Sequence, residues 1–370
     1  MSAEKADILF ARGEQQRVAG IFAQALASYQ GATKLYRRAD DQEGLLQCLL
    51  AQGHCLRRLG DFRRARAQYE KALELASTLR TPLDRADAQV GLGMSLRALG
   101  DYRAALRFFA RAGQTYRRLG DVAGQAYILW ATAGALRIQG TLKETLDTFR
   151  QARALFEQAG EWSGVGYCLC GMGGASRLMG KYHDSLAYYA EAHRHLSRLR
   201  DTFGRAYAAC GIANANRMVG RFDTALTYFT KAKTLYGELR DRVSYAYTLW
   251  GEGTLYKVLG HLPKARKAFA KAEAIFTQTR DRRGWIYTCL GRGELLMLQG
   301  KRKQARLLVE KAWGEARKHG FRFEELHSKL LLTELDRQEG KRVSFTPLRR
   351  RYRALGSTFP QEVRLPLNLP

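Results

Sequence analysis

Ala225, Phe229 and Ala232 stand at spacings of i, i+4 and i+7 with polar residues between them. That spacing predicts one apolar face of a helix. The same face recurs along the chain at a fixed interval of forty residues. Glycine occupies positions 20, 60, 100, 140, 180, 220, 260, 300 and 340, so each residue can be given a slot from 1 to 40. Slot 32 is alanine from Ala32 to Ala312. Slot 29 is Tyr29, Tyr69, Phe109, Phe149, Tyr189, Phe229, Phe269 and Val309, and slot 25 is small throughout.

Such a regular period defines a repeat architecture. Each unit reads as helix A over about slots 4 to 19, a glycine-centred turn, helix B over about slots 22 to 37, and an acidic turn. Glycine at slot 20 suits the left-handed conformation that closes a helix. Asp61 and Asp101 are placed to cap helix B, and Asp41, Asp121, Asp201, Asp241 and Asp281 to cap the following helix A. No strand pattern occurs, so the fold class is all-α. Residues 1–340 read as a solenoid of eight to nine units. Residues 341–370 read as a basic capping helix within Phe345–Phe359, opened by Pro347, and an extended proline-punctuated tail that caps the array or docks.

The segments LRALGDYRAALRFFARAGQTY, from Leu96, and NRMVGRFDTALTYFTKAKTLY, from Asn216, resemble the tetratricopeptide repeat family. Small residues at slots 13, 25 and 32, a bulky residue at slot 16 or 22 and an aromatic at slot 29 carry the resemblance. The forty-residue period departs from the usual thirty-four and is similar to the longer-helix variants of kinesin light chains, Pins-type adaptors and bacterial signalling regulators. The resemblance implies a superhelix whose concave side is lined by helix A. Where many peptide-binding members carry an asparagine, slot 11 holds Ala51, Gly91, Ala131, Gly171, Gly211, Gly251 and Gly291. That departure speaks against a carboxylate clamp and is expected to leave room in the groove.

Slots 7, 10, 14 and 17 share one face of helix A, within roughly 80° at a helical period, and the family alignment points that face into the groove. Slot 17 holds Arg57, Arg97, Arg137, Arg177, Arg217 and Lys257; slot 7 holds Tyr127, Tyr167, Tyr207, Tyr247 and Tyr287; slot 10 includes Trp130 and Trp250. Guanidinium forks bind carboxylate or phosphate and rings supply stacking surfaces, so these columns are the candidate site. A purely structural role competes with this reading. The cations would then bridge to acidic neighbours at helix C-termini, and the tyrosines would pack between repeats.

Charge fits the candidate site without naming its ligand. Lys and Arg number 62 against 35 Asp and Glu, a net charge of +27, which favours acidic partners. No phosphate loop, metalloprotease motif or nucleophile elbow occurs, and His193 with His195 lacks a third metal ligand. No cofactor is expected. Without a signal-like start or an apolar run of membrane-spanning length, a cytoplasmic protein is the default expectation. The leading expectation is a non-enzymatic adaptor holding an acidic peptide or acidic protein surface in the concave groove. Single-stranded nucleic acid along the basic groove and a small anionic ligand held as by a sensor are the alternatives.

Overall fold

The computed structural model describes residues 2–360 and 362–370. Among the described residues there are eighteen α-helices and no strand. Helix A of a repeat runs over slots 2 to 18, as in Gln42–Arg58 and Pro82–Ala98, so it begins two residues before the sequence-based boundary. The slot-1 caps explain the earlier start. In the second repeat Asp41 accepts from Gly44 N–H, and Asp61, Asp101, Asp121, Asp201, Asp241 and Asp281 make the same bond, at 2.7 to 3.2 Å. The slot-20 glycines all have φ between +73° and +98° and so close each helix A as the sequence predicts.

The core lies between helices A and B. Tyr69, Tyr189 and Phe269 of slot 29 are each pressed between two bare stretches of backbone. Tyr69 packs on Gly53 of its own repeat and Gly91 of the next, and Tyr189 packs on Gly173 and Gly211. The rings are 5% and 3% exposed, so each is held on both sides. The expectation that the slot-11 glycines leave open groove is therefore corrected: at Gly91 and Gly211 an aromatic ring from the preceding repeat fills that space. A helical glycine costs about 1 kcal/mol relative to alanine, and close ring packing offsets it.

The array coils until it meets itself. Gly60 abuts Val243 and Thr279, Gly100 abuts His319 and Phe321, and Gly140 abuts Leu355. The second repeat thus touches the seventh, and the third touches the eighth and ninth. Arg58 lies 4.2 Å over the Phe203 ring, and the Tyr102 hydroxyl donates to the Gly320 carbonyl at 3.2 Å. The result is a closed superhelix whose helix A faces enclose a channel. After a ninth helix A, Arg322–Gln338, the short helix Thr346–Ala354 covers the last apolar face. It ends before Phe359, because Gly356 turns the chain at φ +80°.

Candidate functional site

The slot-17 column lies against the next repeat's helix A. Arg97 donates from Nη1 to the Ala131 carbonyl at 3.2 Å, and its Cζ sits 5.9 Å from the Trp130 ring centroid. Gly134, at slot 14, makes this seat possible, since a Cβ there would collide with Nη1. Arg137 uses Gly174 in the same way. Arg217 lies 5.9 Å from the Trp250 ring, and Lys257 forms a buried ion pair with Glu294. Each of these cations therefore touches slots 10, 11 or 14 of the next repeat.

Bridging to acidic neighbours accounts for only part of the column. Lys257 pairs with the next repeat, while Arg17 and Arg337 pair within their own helices, with Glu14 at 2.6 Å and Glu334 at 2.8 Å. Among the described residues, Arg57, Arg97, Arg137, Arg177 and Arg217 show no ion pair with a carboxylate. The Nε atoms of Arg137 and Arg177, and Nη1 of Arg177, are buried without a hydrogen-bond partner. Burial and the neighbouring Arg137 pull the Arg97 pKa down to about 10; burial and Arg177 pull that of Arg217 to about 9. Both stay cationic at neutral pH. Arg57, Arg97, Arg137 and Arg177 are half-buried, whereas Arg217 is fully buried.

Arg97, Arg137 and Arg177 open into one cavity of about 390 Å³. Trp130, Tyr207, Tyr247, Trp250 and Tyr287 line it as well, and so do Gly134, Gly171, Gly174 and Gly211, each covered by an arginine end or a ring. Among its lining residues the one side-chain carboxylate, Asp281, is already engaged: it caps a helix through Gly284 N–H at 2.9 Å and accepts from the Tyr247 hydroxyl at 3.2 Å; Pro370 lines the cavity too. Arg57 and Tyr127 line a separate cavity of about 390 Å³ nearer the first repeats, together with Glu14, His54 and Asp87.

Two slot-7 tyrosines serve the array itself. Tyr167 donates to Asp201 at 2.8 Å and Tyr247 to Asp281, so each holds the helix cap of the next repeat. Tyr167 lines neither cavity; it packs between Trp130 and Phe203. The remaining candidates, Arg217 and Lys257, are fully buried and hydrogen-bond to residues 367–369 of the chain itself.

Sequence reasoning missed Arg283, Asn214 and Glu294. Arg283 lines the main cavity and pairs with buried Glu324 at 2.6 Å. It stands alone among the hydrophobic residues Phe203, Val243 and Phe323 of its slot, so no column marks it. Asn214 and Glu294 lie on the predicted groove face, but slot 14 changes residue type from repeat to repeat.

The family profile described as tetratricopeptide repeat matches residues 5–78, 166–238 and 204–278, half of the chain. No curated protein matches the sequence. Among solved structures, NprR in complex with its cognate peptide NprX is similar at 16% identity and a TM-score of 0.62, over 90% of this chain and 96% of that one. A Rap protein complexed with competence and sporulation factor gives 15% and 0.60, over 91% and 99%. The Rap conjugation gene regulator of plasmid pLS20, in complex with the Phr* peptide, gives 14% and 0.59, over 95% and 94%. At these identities the likeness is one of fold. Among the described residues no helix is long and apolar enough to cross a membrane.

Proposed function

We propose, on the premise that this chain belongs to the tetratricopeptide repeat family, that it is a non-enzymatic interaction protein whose closed channel takes an acidic peptide. The observation that carries this reading is the meeting of Arg97, Arg137 and Arg177 in one aromatic-walled cavity with no ion-pair partners. A carboxylate on an incoming peptide gains forked donors without displacing an existing ion pair. Trp130, Tyr207 and Trp250 give apolar side chains a surface beside those donors. Two of the fold's solved relatives, NprR and the pLS20 regulator, are in complex with peptides, which supports a peptide as the ligand class.

The test is a binding titration read by the fluorescence of Trp130 and Trp250. Acidic peptides should bind at least tenfold more tightly than their amide counterparts, Asp to Asn and Glu to Gln. Arg137→Met with Arg177→Met should abolish that preference in a chain that still folds. Equal binding of acidic and amide peptides, or undiminished binding by the variant, overturns the reading. An acidic protein surface would bind through the same groups only by inserting an extended segment, because the channel is closed around them.

A further inference from the structure

The far end of the channel already holds a peptide, and it is the chain's own. Past the capping helix, Ser357 donates from its hydroxyl to the Leu178 carbonyl at 2.5 Å, and Thr358 N–H donates to the Met179 carbonyl at 3.2 Å. These bonds fasten the segment to the fifth repeat. Residues 363–369 then enter the channel over the sixth to eighth repeats.

The channel grips this segment largely by its main chain. Leu367 N–H donates to Glu294, and the Leu367 carbonyl accepts from Lys257 Nζ at 2.8 Å. Two residues on, the Leu369 carbonyl accepts from Arg217 Nη2 at 2.9 Å. Between them, the Asn368 side chain donates to the Arg217 carbonyl at 3.0 Å and accepts from Arg217 Nη1. Side chains alternate in an extended chain, so Leu367 and Leu369, which follow a bend at 365–366, share one side while Asn368 faces the other. Leu367 and Leu369 are 3% and 2% exposed. The residues that hold the segment are slot-17 cations and a slot-14 acid, the same slots that line the open cavity.

We infer that residues 363–369 are a tethered peptide ligand, and that the channel over Arg217, Lys257 and Glu294 is a second peptide subsite. It takes an extended segment with leucines at alternate positions, read through its main chain, and such a peptide supplied in trans competes with the tether. The inference rests on the channel being a peptide site, but it uses different chemistry from the acid-binding half. Residues 363–369 carry no side-chain carboxylate.

The experiment uses the full chain and a fluorescein-labelled synthetic peptide, VRLPLNL, with an amidated C-terminus so that it carries no carboxylate. In Leu367→Lys with Leu369→Lys, the tether is repelled by Lys257 and Arg217 and its leucine contacts are gone. That variant should bind the peptide at least tenfold more tightly than the wild type, by anisotropy, with unlabelled VRLPLNL competing and a scrambled peptide failing to compete. A folded variant, judged by its circular dichroism and thermal transition, that takes up no peptide overturns the inference. The unsubstituted chain supplies a second measurement that decides the matter even if the variant does not fold. Hydrogen exchange at Leu367 N–H should be protected, and exchange at the rate of a free peptide overturns the inference. Arg137→Met with Arg177→Met should leave VRLPLNL binding to the tether-released chain unchanged, so failure of the acidic-peptide reading and failure of this one give different results.

Discussion

Arg97 reaches the carbonyl oxygen of Ala131, one repeat further along the chain, at 3.2 Å, and it does so across the bare backbone of Gly134. The glycines of helix A thus divide into two kinds. Gly134 and Gly174 seat the ends of flexible arginines, whereas Gly91 and Gly211 seat buried rings that have nowhere to go.

Alanine substitution should separate the two kinds. Gly134→Ala gains about 1 kcal/mol of helix propensity and displaces only a guanidinium, and Gly174→Ala does the same beside the Tyr189 hydroxyl, so urea unfolding should show equal or greater stability. Affinity for an acidic peptide should fall in the same variants. Gly91→Ala and Gly211→Ala overpack Tyr69 and Tyr189 and should lose about 1–3 kcal/mol. A destabilised Gly134→Ala would contradict the assignment.

These glycines also mark how far the sequence could be read. The forty-residue register marked the seventeen helices of the repeats among the described residues, because slots 20, 29 and 32 obey one steric rule in nearly every repeat. The two jobs of glycine were not legible, since slots 11 and 14 lie on neighbouring faces and what fills the space comes from another repeat. Arg97, Arg137 and Arg177 were legible as a column, but their lack of carboxylate partners was not. The tether was seen only as a cap or a docking segment: PLNLP has no period, and its partners Arg217, Lys257 and Glu294 lie far back in the chain.

The Lys257–Glu294 pair should behave as a buried unit. Burial holds the lysine below and the carboxyl above their ordinary pKa values, yet the two sit together with Leu367 on both. Lys257→Met alone leaves a buried carboxylate and should lose about 3–5 kcal/mol, whereas Lys257→Met with Glu294→Met should lose less than the sum of the single changes. Chemical denaturation of the four chains forms the cycle; strict additivity would mean that the two groups are independent.

His327 makes stability depend on acid. It is fully buried, shares a hydrogen bond with the Tyr352 hydroxyl at 2.7 Å, and burial lowers its pKa to about 4. Between that value and the ordinary value near 6.5 the unfolded chain binds a proton that the folded chain refuses. The stability it contributes is therefore present above pH 6.5 and lost as pH falls. Between pH 7 and pH 5 the loss attributable to His327 should be about 2 kcal/mol, and His327→Gln should remove it from the pH profile of the unfolding midpoint. His54, pushed down to about 3 by burial, acts in the same direction in wild type and variant alike.

Turns at slot 40 should be improvable. Arg200, Arg240 and Arg280 adopt φ of +54°, +52° and +57° where other repeats place Gly120, Gly160 and Gly320. Side chains are strained in this left-handed region, and these three are exposed. Arg240→Gly should stabilise by about 0.5 kcal/mol after the greater unfolded-state entropy of glycine is counted, while Arg240→Ala should not. Urea midpoints of the two variants decide it.

Arg137 and Arg177 should be dispensable for folding and needed for binding, which is the signature expected of a site rather than a strut. Their buried Nε atoms lack partners, they form no ion pair among the described residues, and both side chains are half-buried at the cavity wall. Methionine keeps most of the apolar stem and removes the charge. Each Arg→Met change should therefore be neutral or stabilising by about 1 kcal/mol. An acidic peptide at a hundred times its Kd should stabilise the wild type by about 2.7 kcal/mol and the double variant not at all. Loss of about 2 kcal/mol or more on substitution, with ligand stabilisation retained, would instead assign these arginines to holding the repeats together.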